Sequence, residues 1–210
     1  DFLGASKVAA VGTAAFRRAA NADEFIDMIR KSAKIRVKVL TGDEEARLSA
    51  LAVRRTLDLP DERVVVADIG GGSTELVVMK GESVLSVTSL PLGVRTLCDK
   101  YASHAPIAED ESDALNKAIA DALEGHSIEA STLIGVGVTA ATLAAIDLEM
   151  KIFDPKLIHG YRLKLRVIED IYDLIAGMSL VERRNLPGLP DDRADVMPVG
   201  AAIVMAFLKA

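Results

Sequence analysis

The feature that most constrains this chain is an apolar run that enters three consecutive glycines and leaves as a second apolar run. The segment spans residues 64–78 and reads VVVADIGGGSTELVV. Two short apolar runs bounded by turn residues predict two strands joined by a tight turn. Because glycine lacks a Cβ atom, such a turn lets the backbone approach a ligand closely.

The polar residues of this hairpin predict a site for phosphate and a divalent cation. Backbone N–H groups in a glycine turn form an anion cradle, and the two hydroxyls beside it add donors. Asp68 and Glu75 supply the hard oxygen ligands that Mg²⁺ uses beside phosphates. The predicted phosphate-binding residues of the hairpin are Gly70, Gly71, Gly72, Ser73 and Thr74.

Two better-known glycine patterns do not fit the hairpin. A Walker loop has a Lys-Ser/Thr pair that enters a helix, and the dinucleotide fingerprint opens a helix after a single strand. The alternative is a hairpin without a ligand. Three glycines are entropically costly to order in such a turn, and the acidic and hydroxyl residues on both sides favour the functional interpretation.

The remaining sequence alternates between strand and helix patterns. Residues 64–68, 74–79 and 83–89 predict an antiparallel meander, and residues 132–136 predict a strand that adds in parallel beside it. Thr41 and Glu44 match a capping box that opens a helix ending near Thr56. Thr13 is a candidate cap for a helix from Ala14. We therefore predict an α/β fold with a mixed sheet, a βββαβα unit and flanking helices.

Composition limits the possible partners and compartment. The 210 residues carry a net charge of −6, which disfavours a nucleic-acid binder with a basic face. Cys98 is the single cysteine, which fits a reducing compartment and a buried apolar role. The chain has no apolar run long enough to span a membrane. It begins without a signal peptide or an initiator Met, and we expect a cytoplasmic protein of which this is a fragment.

Seven segments together resemble one family, the exopolyphosphatase / guanosine pentaphosphate phosphohydrolase family of the actin/Hsp70/sugar-kinase superfamily. They are residues 11–21, 40–48, 68–76, 89–93, 135–140, 159–163 and 193–196. The resemblance implies two actin-like halves around a cleft. Residues 1–62 would be the later part of the first half, without its N-terminal phosphate loop, and residues 63–210 the second half. It also implies a homodimer in the longer protein, although the C-terminal helical extension of longer members is absent.

The resemblance implies that Glu45 is the base that activates the attacking water. Local chemistry points the same way, because the capping box explains Glu44 and the positive helix start explains Asp43. At helical spacing Glu45 aligns with the apolar Leu48 and Ala52, where an isolated carboxylate would have a raised pKa. The alternative is an ordinary charge at the helix N-terminus.

The resemblance also assigns Asp68 and Glu75 to Mg²⁺ and predicts a second phosphate or nucleotide loop at Gly135, Gly137 and Thr139. Val138 replaces a glycine of the family there. Because valine tolerates a positive φ poorly, we expect the loop to be shifted or less accommodating to phosphate. An ordinary strand-to-helix turn is the alternative.

Arg193 is predicted to contact substrate phosphates, because a planar guanidinium can donate two parallel hydrogen bonds to a phosphate. The alternative is a salt bridge with one of three neighbouring acids: Asp191, Asp192 or Asp195. Arg17 and Arg18 are expected on a solvated helix face. His159 is expected to be structural.

The function predicted from these residues is hydrolysis of a terminal phosphoanhydride. The substrate would be inorganic polyphosphate or guanosine pentaphosphate, and the ion Mg²⁺, with Mn²⁺ able to serve a similar oxygen site. No nucleic acid or membrane partner is expected. Two alternatives remain open: an ATP-binding regulator of the wider superfamily, and a polyphosphate-binding module without turnover.

Overall fold

The computed structural model of this chain describes residues 4, 5, 7–81, 83–126 and 130–210. The strands in this part of the chain are β1 Ala10–Gly12, β2 Val37–Val39, β3 Arg63–Ile69, β4 Thr74–Lys80, β5 Ser83–Leu90 and β6 Thr132–Val136. The α-helices are α1 Ala14–Arg18, α2 Ala22–Ala33, α3 Gly42–Thr56, α4 Val94–Tyr101, α5 Glu109–Leu123, α6 Gly137–Asp147, α7 Pro155–Ile158, α8 Leu165–Gly177, α9 Leu180–Arg184 and α10 Met197–Lys209.

The strands form two sheets. Strands β1 and β2 pair in parallel, and the larger sheet has the strand order β5-β4-β3-β6. Strands β3, β4 and β5 form the antiparallel meander predicted from the sequence, and β6 pairs with β3 in parallel, as expected. Two helices, α4 and α5, connect β5 to β6. The mixed α/β architecture is therefore confirmed.

Helices cover both faces of the larger sheet. Helix α3 packs through Ala46, Ala50 and Val53 on one face, against side chains of β3 and β4 that alternate toward it: Val64, Val66, Val77 and Met79. The opposite face belongs to a larger aliphatic cluster that includes residues of α4, α5, α6, α8 and α10. Burial on both faces explains why β3 is a nearly continuous apolar run.

Local sequence signals predicted α3 well and α1 less well. Thr41 and Glu44 form the expected reciprocal capping box, and α3 ends at Thr56 as predicted. The prediction for Thr13 was wrong, because its side chain makes no capping hydrogen bond to α1. Cys98 is buried, as expected. Within the described ranges, no helix is both long enough and apolar enough to cross a membrane.

Candidate functional site

Three polar residues and a valine form a row across the sheet at the end of β3, on the face that α3 covers. Ser89, Glu75, Asp68 and Val136 lie directly opposite one another on β5, β4, β3 and β6. Residues that face each other across paired strands project from the same side of a sheet. The register therefore brings the two predicted metal ligands, Asp68 and Glu75, side by side.

The glycine turn between β3 and β4 is fastened to the start of α4. The carbonyl of Gly70 accepts from the amide of Val94, and the carbonyl of Gly71 accepts from the amides of Arg95 and Thr96. These bonds satisfy N–H groups that a helix start otherwise leaves unpaired. Within the described chain the amides of Gly71 and Gly72 have no acceptor, so both remain available to an anion.

The two hydroxyls that follow the glycines are engaged in internal hydrogen bonds. Ser73 Oγ donates to Glu75 Oε1 at 2.8 Å, and Thr74 Oγ1 donates to the carbonyl of Leu92. Both residues are buried. In this structure Ser73 therefore orients a carboxylate and Thr74 holds the loop before α4, and their contact with phosphate stays a prediction.

Glu75 is the most enclosed carboxylate of the site, with 2 % of its surface exposed. Its Oε1 atom accepts from Ser73 and, at 3.1 Å, from Ser89 Oγ. Arg17 Nη2 lies 3.7 Å from the same oxygen. Burial raises the pKa of Glu75, and the nearby negative charge of Glu45 raises it further. A bound cation would offset both effects.

Asp68 is held between α3 and the start of α6. Its Oδ2 atom accepts from Ser49 Oγ at 2.7 Å. A Cβ atom at Gly137, which has a φ of +83°, would lie 2.9 Å from Asp68 Oδ1. Only glycine combines this backbone conformation with that approach. Sequence reasoning missed Ser49, although its spacing of four residues from Glu45 places both on one side of α3.

The donor set fits Mg²⁺ that retains water and phosphate ligands. No group of three His, Cys, Asp or Glu residues that could hold a metal occurs in the described ranges. Mg²⁺ is commonly bound by one or two carboxylates together with substrate phosphates and waters. Asp68 and Glu75 would supply the two carboxylates, which makes the pair suited to a phosphate-dependent site.

Glu45 lies at the same corner of the sheet, but its surroundings differ from the expected ones. Arg17 Nη1 donates to Glu45 Oε2 at 2.8 Å and to the carbonyl of Leu40 at 2.8 Å. Arg17 is exposed, as expected, but its guanidinium is also engaged by these two acceptors. The prediction that Glu45 lies on a covered apolar face of α3 was wrong, because Leu48 on that face is 51 % exposed. An ion pair, not an apolar environment, holds Glu45, whose side chain is 19 % exposed.

At the second predicted loop, β6 passes directly into α6. Gly137 has the positive φ and begins α6, so Val138 needs no unusual backbone. Whether the loop is displaced or less accommodating to phosphate stays a prediction. Thr139 is buried and donates to the carbonyl of Ile69 at 3.1 Å. A Cβ atom at Gly135 would lie 2.7 Å from Ala140 Cβ, so this glycine permits close packing of α6 on β6.

The structure does not join Arg193 to the glycine turn. It lies in a 3₁₀ turn, Asp191–Arg193. Its side chain makes no ion pair in the part of the chain that the structure describes. The alternative salt bridge with Asp195 is therefore not formed, and that carboxylate pairs with Arg95 of α4 at 2.6 Å instead. His159 Nε2 donates to the carbonyl of Thr56 at 3.0 Å, a structural contact as expected.

The mixed sheet, the glycine turn and the paired carboxylates define an α/β protein with a candidate site for phosphate and a cation. Comparison with known proteins is more specific. The family model described as the Ppx/GppA phosphatase family matches residues 1–210. On this evidence the chain belongs to the Ppx/GppA phosphatase family.

Solved structures agree with this assignment. The Ppx/GppA family member from Aquifex aeolicus is 33 % identical and superposes with a TM-score of 0.87, and the match covers 99 % of this chain and 68 % of that one. An exopolyphosphatase from Cytophaga hutchinsonii is 27 % identical with a TM-score of 0.90, and the match covers 99 % of this chain and 69 % of that one. The chain is thus a hydrolase of the Ppx/GppA kind.

Proposed function

We propose that the chain releases the terminal phosphate of inorganic polyphosphate or guanosine pentaphosphate, with Mg²⁺ at Asp68 and Glu75 and Glu45 as the base. The observation that supports this most strongly is the meeting of Glu45, Asp68 and Glu75 beside a glycine turn with free amides. The exopolyphosphatase named among the similar structures supports polyphosphate as a substrate class.

Several groups of the site would bind the phosphate oxygens. The amides of Gly71 and Gly72 have no acceptor among the described residues, and the guanidinium of Arg18 approaches Gly72, with Nη1 3.0 Å from the Cβ position of that glycine. The N-terminal end of α6 lies beside Asp68. Helix starts and free amides both favour anions. These donors would neutralise a terminal phosphate group in the way that phosphoryl transfer requires.

The protein's part in the reaction is to orient a water and accept its proton. Arg17 fixes Glu45 through Oε2, and in the described chain Oε1 has no hydrogen-bond partner. Glu45 would take a proton from the water as the water oxygen attacks the terminal phosphorus. The bond between that phosphorus and its bridging oxygen then breaks, and the shortened phosphate chain leaves. A bound Mg²⁺ would stabilise negative charge on the phosphate oxygens.

Glu44 offers a matched control for the base, since it is the adjacent acid on the same helix. It accepts from Lys38 Nζ and completes the capping box with Thr41, and a glutamine serves a capping box as well. We would measure phosphate release from both substrates, with Mg²⁺ and with chelator, for the wild type, Glu45→Gln and Glu44→Gln.

The proposal predicts release that requires the metal. It predicts a loss of about 10²–10⁴-fold in Glu45→Gln, with Glu44→Gln near the wild-type rate. Direct binding of each substrate is measured in parallel. Binding without release by the wild type, or an unchanged rate in Glu45→Gln, would contradict the proposal. The first result would instead support a phosphate-binding module.

A further inference from the structure

The two oxygens of the Asp68 carboxylate face different neighbours. Oδ2 accepts a hydrogen bond from the hydroxyl of Ser49 at 2.7 Å, while Oδ1 faces Gly137, whose backbone can approach it closely because this residue has no Cβ atom. Within the described residues Oδ1 has no hydrogen-bond donor. The hydroxyl of Ser49 therefore binds one carboxylate oxygen of Asp68 and leaves the other without a donor.

Ser49 is held firmly enough to determine this orientation. It lies one turn after Glu45 on α3, between Ala46 and Ala50, which are 0 % and 1 % exposed and pack on the sheet. The capping box at Thr41 fixes the start of the same helix. Any motion of α3 would displace the hydroxyl that binds Asp68 and the carboxylate of Glu45 together.

We propose that Ser49 is a positioning residue that turns Oδ1 of Asp68 toward the divalent cation and couples this ligand to the helix of the base. This inference rests on the proposed function, because it assigns the cation to Asp68. The terminal torsion of an aspartate is broad and roughly two-fold. Without the hydroxyl of Ser49, the carboxylate would rotate among several orientations, of which only some present an oxygen to the ion.

The expected effect is a loss of metal affinity with little change in folding. Outer hydrogen-bond partners of metal ligands contribute about 10–100-fold to affinity. Ser49→Ala should therefore weaken Mn²⁺ binding by about 10-fold or more. Ser49→Thr keeps the hydroxyl and should restore binding to near the wild-type value. A purely structural role would change the melting temperature of Ser49→Ala and leave Mn²⁺ affinity unchanged.

Ser32 offers a matched control on another helix. Its hydroxyl donates to the carbonyl of Met28 at 2.8 Å, and α2 carries neither of the two predicted metal ligands. Mn²⁺ binding to the wild type, Ser49→Ala, Ser49→Thr and Ser32→Ala would be measured by electron paramagnetic resonance, with the metal alone and then with inorganic phosphate. Melting temperatures of the same samples would report folding.

The outcomes separate this inference from the proposed function. Weaker binding in Ser49→Ala, recovery in Ser49→Thr and wild-type affinity in Ser32→Ala would support it. Wild-type affinity in Ser49→Ala would overturn the role of Ser49 and leave the metal site standing. Absence of Mn²⁺ binding to the wild type under both conditions would overturn the metal site and the role of Ser49 together.

Discussion

The close approach of the glycine turn to the start of α4 yields a quantitative prediction for Gly93→Ala. A Cβ atom at Gly93 would lie 2.3 Å from both the Cα and the carbonyl carbon of Gly72 and 2.5 Å from the carbonyl oxygen of Gly71. Ordinary contacts begin at 3.4 Å, so backbone atoms would have to separate by about 1 Å. Because all three atoms belong to the backbone, no side-chain rotation relieves the clash.

The cost of this substitution follows from the known effect of overpacking. Inserting a methyl group into a packed site costs about 1–3 kcal/mol, and a clash with backbone belongs at the upper end. A domain of this size loses about 2–4 °C of melting temperature per kcal/mol. We therefore expect Gly93→Ala to melt about 6–12 °C below the wild type.

Gly71→Ala, at the second glycine of the turn, provides the control. The nearest atom to its Cβ position is Arg95 Cβ at 3.8 Å, an ordinary contact. Alanine at a compatible position restricts the unfolded chain, so this variant should melt at or slightly above the wild-type temperature. Differential scanning calorimetry would give the melting temperatures of the wild type, Gly93→Ala and Gly71→Ala. Equal melting temperatures for Gly93→Ala and the wild type would refute the packing argument.

Three further predictions concern other parts of the chain. Thr41→Ala removes the cap of α3 and should cost about 1 kcal/mol in thermal unfolding; an unchanged stability would mean that the cap is dispensable. The pKa of His104 is raised by its hydrogen bond to Glu111. Stability from this contact is therefore complete below the unfolded-state pKa and is lost as pH rises through the folded-state pKa. An NMR titration should show a lower pKa for His104 in Glu111→Gln. Leu115→Ala empties a fully buried position and should cost about 2–5 kcal/mol in denaturant unfolding; a loss below 1 kcal/mol would show that the core refills.

The elements that could be predicted from sequence are those with local signals. The glycine hairpin, the capping box at Thr41 and the parallel strand β6 each follow from residues within one segment. Helix α9 has a similar signal that was overlooked, because Ser179 and Glu182 form a capping box. Helix α7 begins with Asp154 as its cap and a proline in its first turn, another local pattern that could have been found.

The contacts that shape the site could not be predicted in the same way. Arg17 and Glu45 are separated by 28 residues, and Ser49 and Asp68 by 19. Their pairing depends on how α1 and α3 pack near the sheet. The helical spacing of Glu45 and Leu48 led to the prediction of an isolated carboxylate on an apolar face. That prediction failed because periodicity shows which residues share a helix face but not whether the face is covered. Similarly, local sequence did not show that Gly137 takes the positive φ beside Val138.

The central claim is that water attacks the terminal phosphorus at this site. We would follow hydrolysis of guanosine pentaphosphate in water enriched in ¹⁸O, with Mg²⁺ present, and locate the label by mass spectrometry. We expect one solvent oxygen in each released orthophosphate and none in the nucleotide product. Label in the nucleotide, or orthophosphate that contains no solvent oxygen, would contradict it.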